Sequence, residues 1–191
     1  HALDPGAPVA SNVVWEPFPA SAFDDWLFER IRGHLDFLAV DYYYSLAFDL
    51  SVAHAGRGQY WKVKFTPAAL LTALHDYHRR APTLPVYVVE NGMATDDGRA
   101  RPEGYSRSQH LMDHVYFVQR ARDEGIDVVG FNVWSLTDNY EWGDYRNRFG
   151  LYTVDVATDP SLTRKATDAV PTLRRLVKEG GVPHDYVPVR R

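Results

Sequence analysis

Val86-Tyr87-Val88-Val89-Glu90-Asn91-Gly92 is the stretch on which the fold of this 191-residue chain turns. Four β-branched or aromatic residues in a row, without polar alternation, predict a short strand buried on both faces. Asn91-Gly92 is a turn signal, so the strand ends at Glu90. A carboxylate at the end of a buried strand costs free energy to desolvate unless a neighbour compensates it. In a parallel barrel, strand C-termini are where catalytic side chains sit. Taken alone, the segment fits two roles for Glu90: a reactive carboxylate, or a strand-end group that caps the turn or pairs with an Arg.

Upstream, Thr66-Pro67 predicts a helix start that runs to about Arg80, before Pro82 and Pro85. Leu35–Tyr44 reads as a strand, and Asp25–Gly33 as a helix with Trp26, Phe28 and Ile31 available for burial. Residues 46–65 form a long irregular stretch containing Tyr60-Trp61, and residues 1–25 a loop-rich lead-in around Val13-Val14-Trp15. Downstream, a polar loop runs from Thr95 to about Tyr105, and Ser106 with Gln109 fits a capping box. The helix it opens carries Leu111, Val115, Val118 and Ala121, and Gly125 ends it. Val128–Val133 reads as another buried strand, Phe149–Val156 as a short hairpin-like segment, and Asp168–Lys178 as the last helix. Strands and helices alternate, with about 45 residues from strand to strand, which predicts βαβ units and a parallel sheet. The long loops follow strands, so one face of the sheet carries most of the irregular chain.

Bulk properties narrow the function. A hydrophobic content of 45% and a charged content of 24% describe an ordinary globular chain. A net charge of −4 with scattered basic residues gives no reason to expect nucleic acid as a partner. The absence of Cys excludes disulfides, thiolate metal sites and a Cys nucleophile, and leaves the compartment open. No run approaches the roughly 18 apolar residues of a membrane span, and no signal peptide opens the chain. His1 rather than Met is expected of a chain that begins inside a longer translated sequence or at a trimmed boundary.

Two further segments carry chemistry. Trp134-Ser135-Leu136-Thr137-Asp138-Asn139-Tyr140-Glu141-Trp142 follows a buried strand and packs aromatic rings beside carboxylates, on the same face as Glu90. Rings cover the C–H faces of a sugar and carboxylates accept from its hydroxyls; the same loop also fits a structural plug with solvated acids. In Asp36-Phe37-Leu38-Ala39-Val40-Asp41-Tyr42-Tyr43-Tyr44, alternation puts Asp41 and Tyr43 on one side and Tyr42 and Tyr44 on the other. One of these phenols is positioned to bond a carboxylate, or all three pack the wall.

Taken in order, VYVVENG, WSLTDNYEW with RFGLYTVD, and DFLAVDYYYS resemble the signatures of glycoside hydrolase family 1, the retaining β-glucosidase and β-galactosidase family. Thr163–Asp168 resembles the family's approach to the last helix, and the resemblance runs from about residue 35 to 178. It implies Glu90 as the nucleophile and Tyr43 as its hydrogen-bond partner. It implies Trp134 as the platform under the sugar, Glu141 and Trp142 as binders of its outer hydroxyls, and Phe149 as a pocket wall. Family members acting on 6-phosphorylated sugars carry Ser at the Glu141 position, so a carboxylate there implies a non-phosphorylated β-linked sugar. No metal or cofactor is implied.

Some positions depart from the family pattern. Val89 replaces Thr, Ala39 replaces Gly, Asp41 replaces Asn, and the loop from Trp142 to Arg148 is one residue shorter. Asp41 places a third carboxylate near Glu90, which raises carboxylate pKa values by like-charge repulsion. A retaining site needs two carboxyl groups about 5–5.5 Å apart. The family's acid/base Glu lies in a T-x-N-E-P motif that this chain lacks; Trp15-Glu16-Pro17 has Glu-Pro without the Asn. The expected fold is α/β, the C-terminal half of a (β/α)8 TIM barrel, about strands five or six to eight, with strand five in residues 11–15. A whole barrel takes about 250 residues. The chain is therefore expected to be one partial-barrel domain over residues 1–191, paired with an N-terminal half-barrel or with itself, or part of a longer protein, and inactive or nearly so alone. The alternative is a non-catalytic sugar-binding or structural half-barrel.

Overall fold

The computed structural model describes residues 7–14, 21–31, 33–44 and 50–191, leaving aside the side chains of 11–14 and 21–24. Four strands, β1 (Ala10–Val14), β2 (Phe37–Asp41), β3 (Val86–Glu90) and β5 (Val128–Phe131), form one parallel sheet in the order β1-β2-β3-β5. The helices are α1 (Ser21–Ile31), α2 (Ala68–Arg80), α3 (Arg107–Asp123) and α4 (Ala169–Glu179). Parallel neighbours need a crossover, and α1, α2 and α3 supply one each. The helix from Asp25 to Gly33 thus begins earlier, at Ser21, and the lead-in contains a strand where residues 11–15 suggested one.

The core lies between this sheet and its helices. Leu70, Leu74 and Tyr77, on one face of α2, pack with Phe28 of α1 and Val118 and Ala121 of α3 against Leu38, Val40, Val86, Val88 and Val128. Trp26 is exposed instead, with Arg30 stacked on its ring, because Phe28 takes the buried face of α1. The expectation that β3 is buried on both faces holds on the helix side only. Val86 and Val88 are fully buried, whereas Tyr87, Val89 and Glu90 on the rest of the strand are half-buried. The Tyr87 ring lies across Gly130, where a Cβ would approach within 2.5 Å of it, so a larger residue there would displace the ring.

The helix ends follow their signals with one exception. Ser106 and Gln109 close the capping box reciprocally: Ser106 Oγ accepts from Gln109 N (3.2 Å) and Gln109 Oε1 from Ser106 N (2.9 Å). Thr66 does not cap α2 through its side chain; its carbonyl accepts from Ala69 N–H and from the Tyr42 hydroxyl at 2.6 Å. Asp113 on α3 is wholly buried and accepts from the hydroxyls of Tyr105 and Tyr186 and the amides of Val189 and Arg190. That arrangement compensates the buried charge and pins the C-terminal segment to the helix.

Two small antiparallel pairs build the loop face. β4 (Thr95–Asp96) pairs with β6 (Asn147–Arg148), and β7 (Tyr152–Val154) pairs with β8 (Arg164–Ala166). The hairpin-like segment expected within 149–156 therefore takes its second strand from beyond residue 156. β2 is shorter than the predicted Leu35–Tyr44. Its register shifts between Val40 and Asp41, so the tyrosines leave the strand and strict alternation stops there.

Candidate active site

Glu90 stands at the C-terminal end of β3, with Asp41 as its cross-strand partner on β2. The Glu90 carbonyl accepts from Tyr42 N–H (3.0 Å), and the buried Asn91 side chain donates to the Tyr42 carbonyl (2.6 Å). These bonds lock the β2 and β3 ends together and send Tyr42 into the core. Tyr43 turns the other way, and its hydroxyl donates to Glu90 Oε2 at 2.7 Å. Burial pushes the Tyr43 phenol far above its ordinary pKa; the hydrogen bond to Glu90 and the charges of Glu90, Asp41 and Glu141 add to the shift. Tyr43 therefore stays protonated and serves as a fixed donor, with three carboxylates gathered around it.

The turn after Glu90 and the end of β5 are joined. Trp134 N–H donates to the Asn91 carbonyl (2.8 Å), and a Cβ on Gly92 would lie 2.0 Å from the Trp134 carbonyl. Glycine is thus required for the two chain ends to meet. The Trp134 indole N–H donates to Glu141 Oε1 (2.8 Å), and the Asn139 amide donates to the same oxygen (2.7 Å). Glu141 is only 8% exposed. Its burial is compensated by these two donors, which also fix the Trp134 ring.

Phe149 is buried with Trp61 and Ala94, and Tyr43, Tyr60 and Trp134 pack around that group. The Phe149 and Tyr43 rings meet edge to face, 5.9 Å apart. Trp142 is placed differently: it is 77% exposed at φ +51°, on the rim, with its ring 6.2 Å from Tyr60. Glu16 lies outside the described residues.

The loop from Trp134 to Phe149 is held from below. Asp138 accepts from Gly150 N (2.8 Å), Thr153 Oγ1 (2.6 Å) and Val154 N (3.0 Å). Arg148 pairs with Asp97 and donates to the Val154 carbonyl (2.8 Å). The structure thus brings Glu90, Tyr43, Trp134, Glu141 and Phe149 together and puts Trp142 at the edge. Sequence reasoning missed Asn91, Asn139 and Asn147 as positioning groups and Tyr60 as a neighbour of the cluster. The Tyr60-Trp61 aromatic pair within an irregular stretch was the available signal for the last.

The arrangement offers one carboxylate held by a phenol at a strand end, a second held by an indole, and aromatic surface between them. The family model of glycosyl hydrolase family 1 matches residues 19–181. A β-galactosidase of Sulfolobus acidocaldarius is 32% identical over 185 residues, covering 85% of this chain and 35% of that protein. A β-galactosidase of Saccharolobus solfataricus is 44% identical over 96 residues, covering 50% of this chain and 18% of that protein. Among solved structures, the β-glycosidase of Thermosphaera aggregans has a TM-score of 0.63 at 24% identity, covering 93% of this chain and 44% of that one. The family 1 β-glucosidase of Thermotoga maritima in complex with isofagomine lactam has a TM-score of 0.63 at 25% identity, covering 86% and 39%. The chain therefore spans well under half the length of these relatives, and its four-stranded wall is part of a (β/α)8 barrel. On the family match over residues 19–181, the chain belongs to glycosyl hydrolase family 1.

Proposed function

We propose that this chain carries the nucleophile side of a retaining β-glycosidase site for non-phosphorylated β-glycosides, on strands corresponding to the fifth to eighth of the barrel. The bond from Tyr43 to Glu90 Oε2 carries the reading. A carboxylate with one oxygen fixed by a neutral phenol is oriented for attack through the other. Glu90 attacks the anomeric carbon, the bond to the leaving oxygen breaks, and that oxygen takes a proton from an acid. Water then hydrolyses the glycosyl ester of Glu90 with the same acid acting as base. Trp134 supports the sugar ring, Phe149 walls the pocket, and Glu141 accepts from outer hydroxyls, with Trp142 joining from the rim. Glu141 repels a phosphate, which favours a non-phosphorylated sugar.

The acid/base carboxyl has no counterpart among the family motifs in these 191 residues. The complete reaction therefore calls for the rest of the barrel, supplied by a longer chain of which this is a part, by a partner or by a second copy, and these 191 residues alone are expected to be inactive or nearly so. A non-catalytic sugar-binding half-barrel is the second reading, favoured by the exposed Trp142 ring beside Tyr60. A mechanism-based fluoro-sugar with an activated leaving group separates the two, because it needs no acid. Mass addition at Glu90 supports the nucleophile; sugar binding without labelling favours the binding module.

A further inference from the structure

We propose that Tyr60 is a sugar-contacting residue of this pocket, seating the outer hydroxyl end of a non-phosphorylated pyranose beside Glu141. The inference rests on the site being a sugar pocket. Tyr60 belongs to none of the three motif segments; it comes from the irregular stretch between β2 and α2.

Its position is built. Asn147, 1% exposed on β6, accepts from Tyr60 N–H through Oδ1 (3.2 Å) and donates through Nδ2 to the Gly58 carbonyl (2.9 Å). Val63 N–H returns to the Tyr60 carbonyl (3.1 Å), closing a 3-10 turn over Tyr60–Lys62. A buried amide on one segment thus clamps the backbone of another that lies 87 residues away in sequence. The clamp presents the Tyr60 ring to Phe149 at 6.5 Å and to Trp142 at 6.2 Å. Phe149 in turn touches Tyr43, the donor to Glu90.

The phenol also lies in the field of the site. Burial, then the charge of Glu141, raises the Tyr60 phenol, and Tyr60 contributes to the same shift at Tyr44. Tyr60 therefore lies within electrostatic reach of both. The other polar groups of the cluster are committed: Tyr43 to Glu90, and Trp134 and Asn139 to Glu141. The Tyr60 hydroxyl takes part in no hydrogen bond among the described residues. A half-buried phenol with an apolar ring, a hydroxyl uncommitted among the described residues and a carboxylate within electrostatic reach suits a ligand with C–H faces and hydroxyls.

The test uses the 191-residue chain with Tyr60→Phe and Tyr60→Ala. The first readout is the fluoro-sugar labelling rate at Glu90 as a function of reagent concentration. The second is the dissociation constant for methyl β-glucoside from tryptophan fluorescence. Tyr60→Ala is expected to raise the half-saturating concentration and the dissociation constant about ten-fold, and Tyr60→Phe about three-fold, as loss of a ring contact and of one hydrogen bond. The saturated labelling rate stays within about two-fold, since Tyr60 does not hold Glu90. Unchanged binding in Tyr60→Phe and Tyr60→Ala overturns the proposal. So does a fall in saturated rate with unchanged half-saturation, which makes Tyr60 a support of Glu90 instead. If the parent chain binds sugar without labelling, the nucleophile assignment fails and the dissociation constants still decide Tyr60. If it neither labels nor binds, both fail. Tyr60→Phe guards against loss of fold, checked by its thermal midpoint.

Discussion

Tyr43→Phe isolates the contact on which the site depends. It removes one donor to a carboxylate and leaves the ring packed on Phe149. A hydrogen bond to a charged group contributes about 1.5–3 kcal/mol, so labelling of Glu90 is expected to slow about ten-fold or more. The same loss is expected to lower the thermal midpoint by roughly 3–12 °C; an unchanged labelling rate in the folded variant would show that Tyr43 does not orient Glu90. The strand-end position of Glu90 was legible in the sequence, but the local pattern left open which of Tyr42, Tyr43 and Tyr44 meets it, and the choice of Tyr43 came from the family resemblance. Tyr60 and Asn147 were not legible, because their proximity depends on how long loops close in space. Trp142 was named from its motif, but its exposed place on the rim, at φ +51°, follows from no feature of that motif.

At the scale of the element, α3 has a built-in pH response. His110 and His114 lie one turn apart, both buried, with ring centroids 4.0 Å apart. Burial holds His114 down to about 4, opposed by the His110 carbonyl and Asp113. Burial, then the charges of His114, Arg101, Arg107 and Arg190, lowers His110 well below 6.5. In the unfolded chain both titrate near 6.5, so below that pH the unfolded state binds more protons. Stability is therefore expected to be level above about pH 6.5 and to fall as the pH drops from there toward 4. Thermal midpoints across that window check it, and His110→Phe with His114→Leu should flatten the slope. The helix itself was readable from its capping box and its apolar spacing. The role of its two histidines was not, since a His at helical spacing looks the same whether it faces solvent or a neighbouring helix.

For the whole molecule, the alternation of strand and helix was enough to predict a parallel sheet, and the four-stranded order bears that out. What periodicity could not show is how much of the sheet is covered. β1 and β5 are the edge strands of the sheet, and Val129 on β5 is 57% exposed. Open parallel edges and exposed apolar side chains favour association. For the 191-residue chain by itself, native mass measurement is expected to give an assembly larger than 21.8 kDa; a stable monomer would contradict association through these edges. The central claim is that Glu90 is a competent nucleophile wherever the acid resides. Peptide mapping after incubation with the fluoro-sugar tests it most directly. A covalent sugar on the peptide containing Glu90, lost in Glu90→Gln, is the predicted result. An unmodified Glu90 in a folded, sugar-binding chain would contradict it.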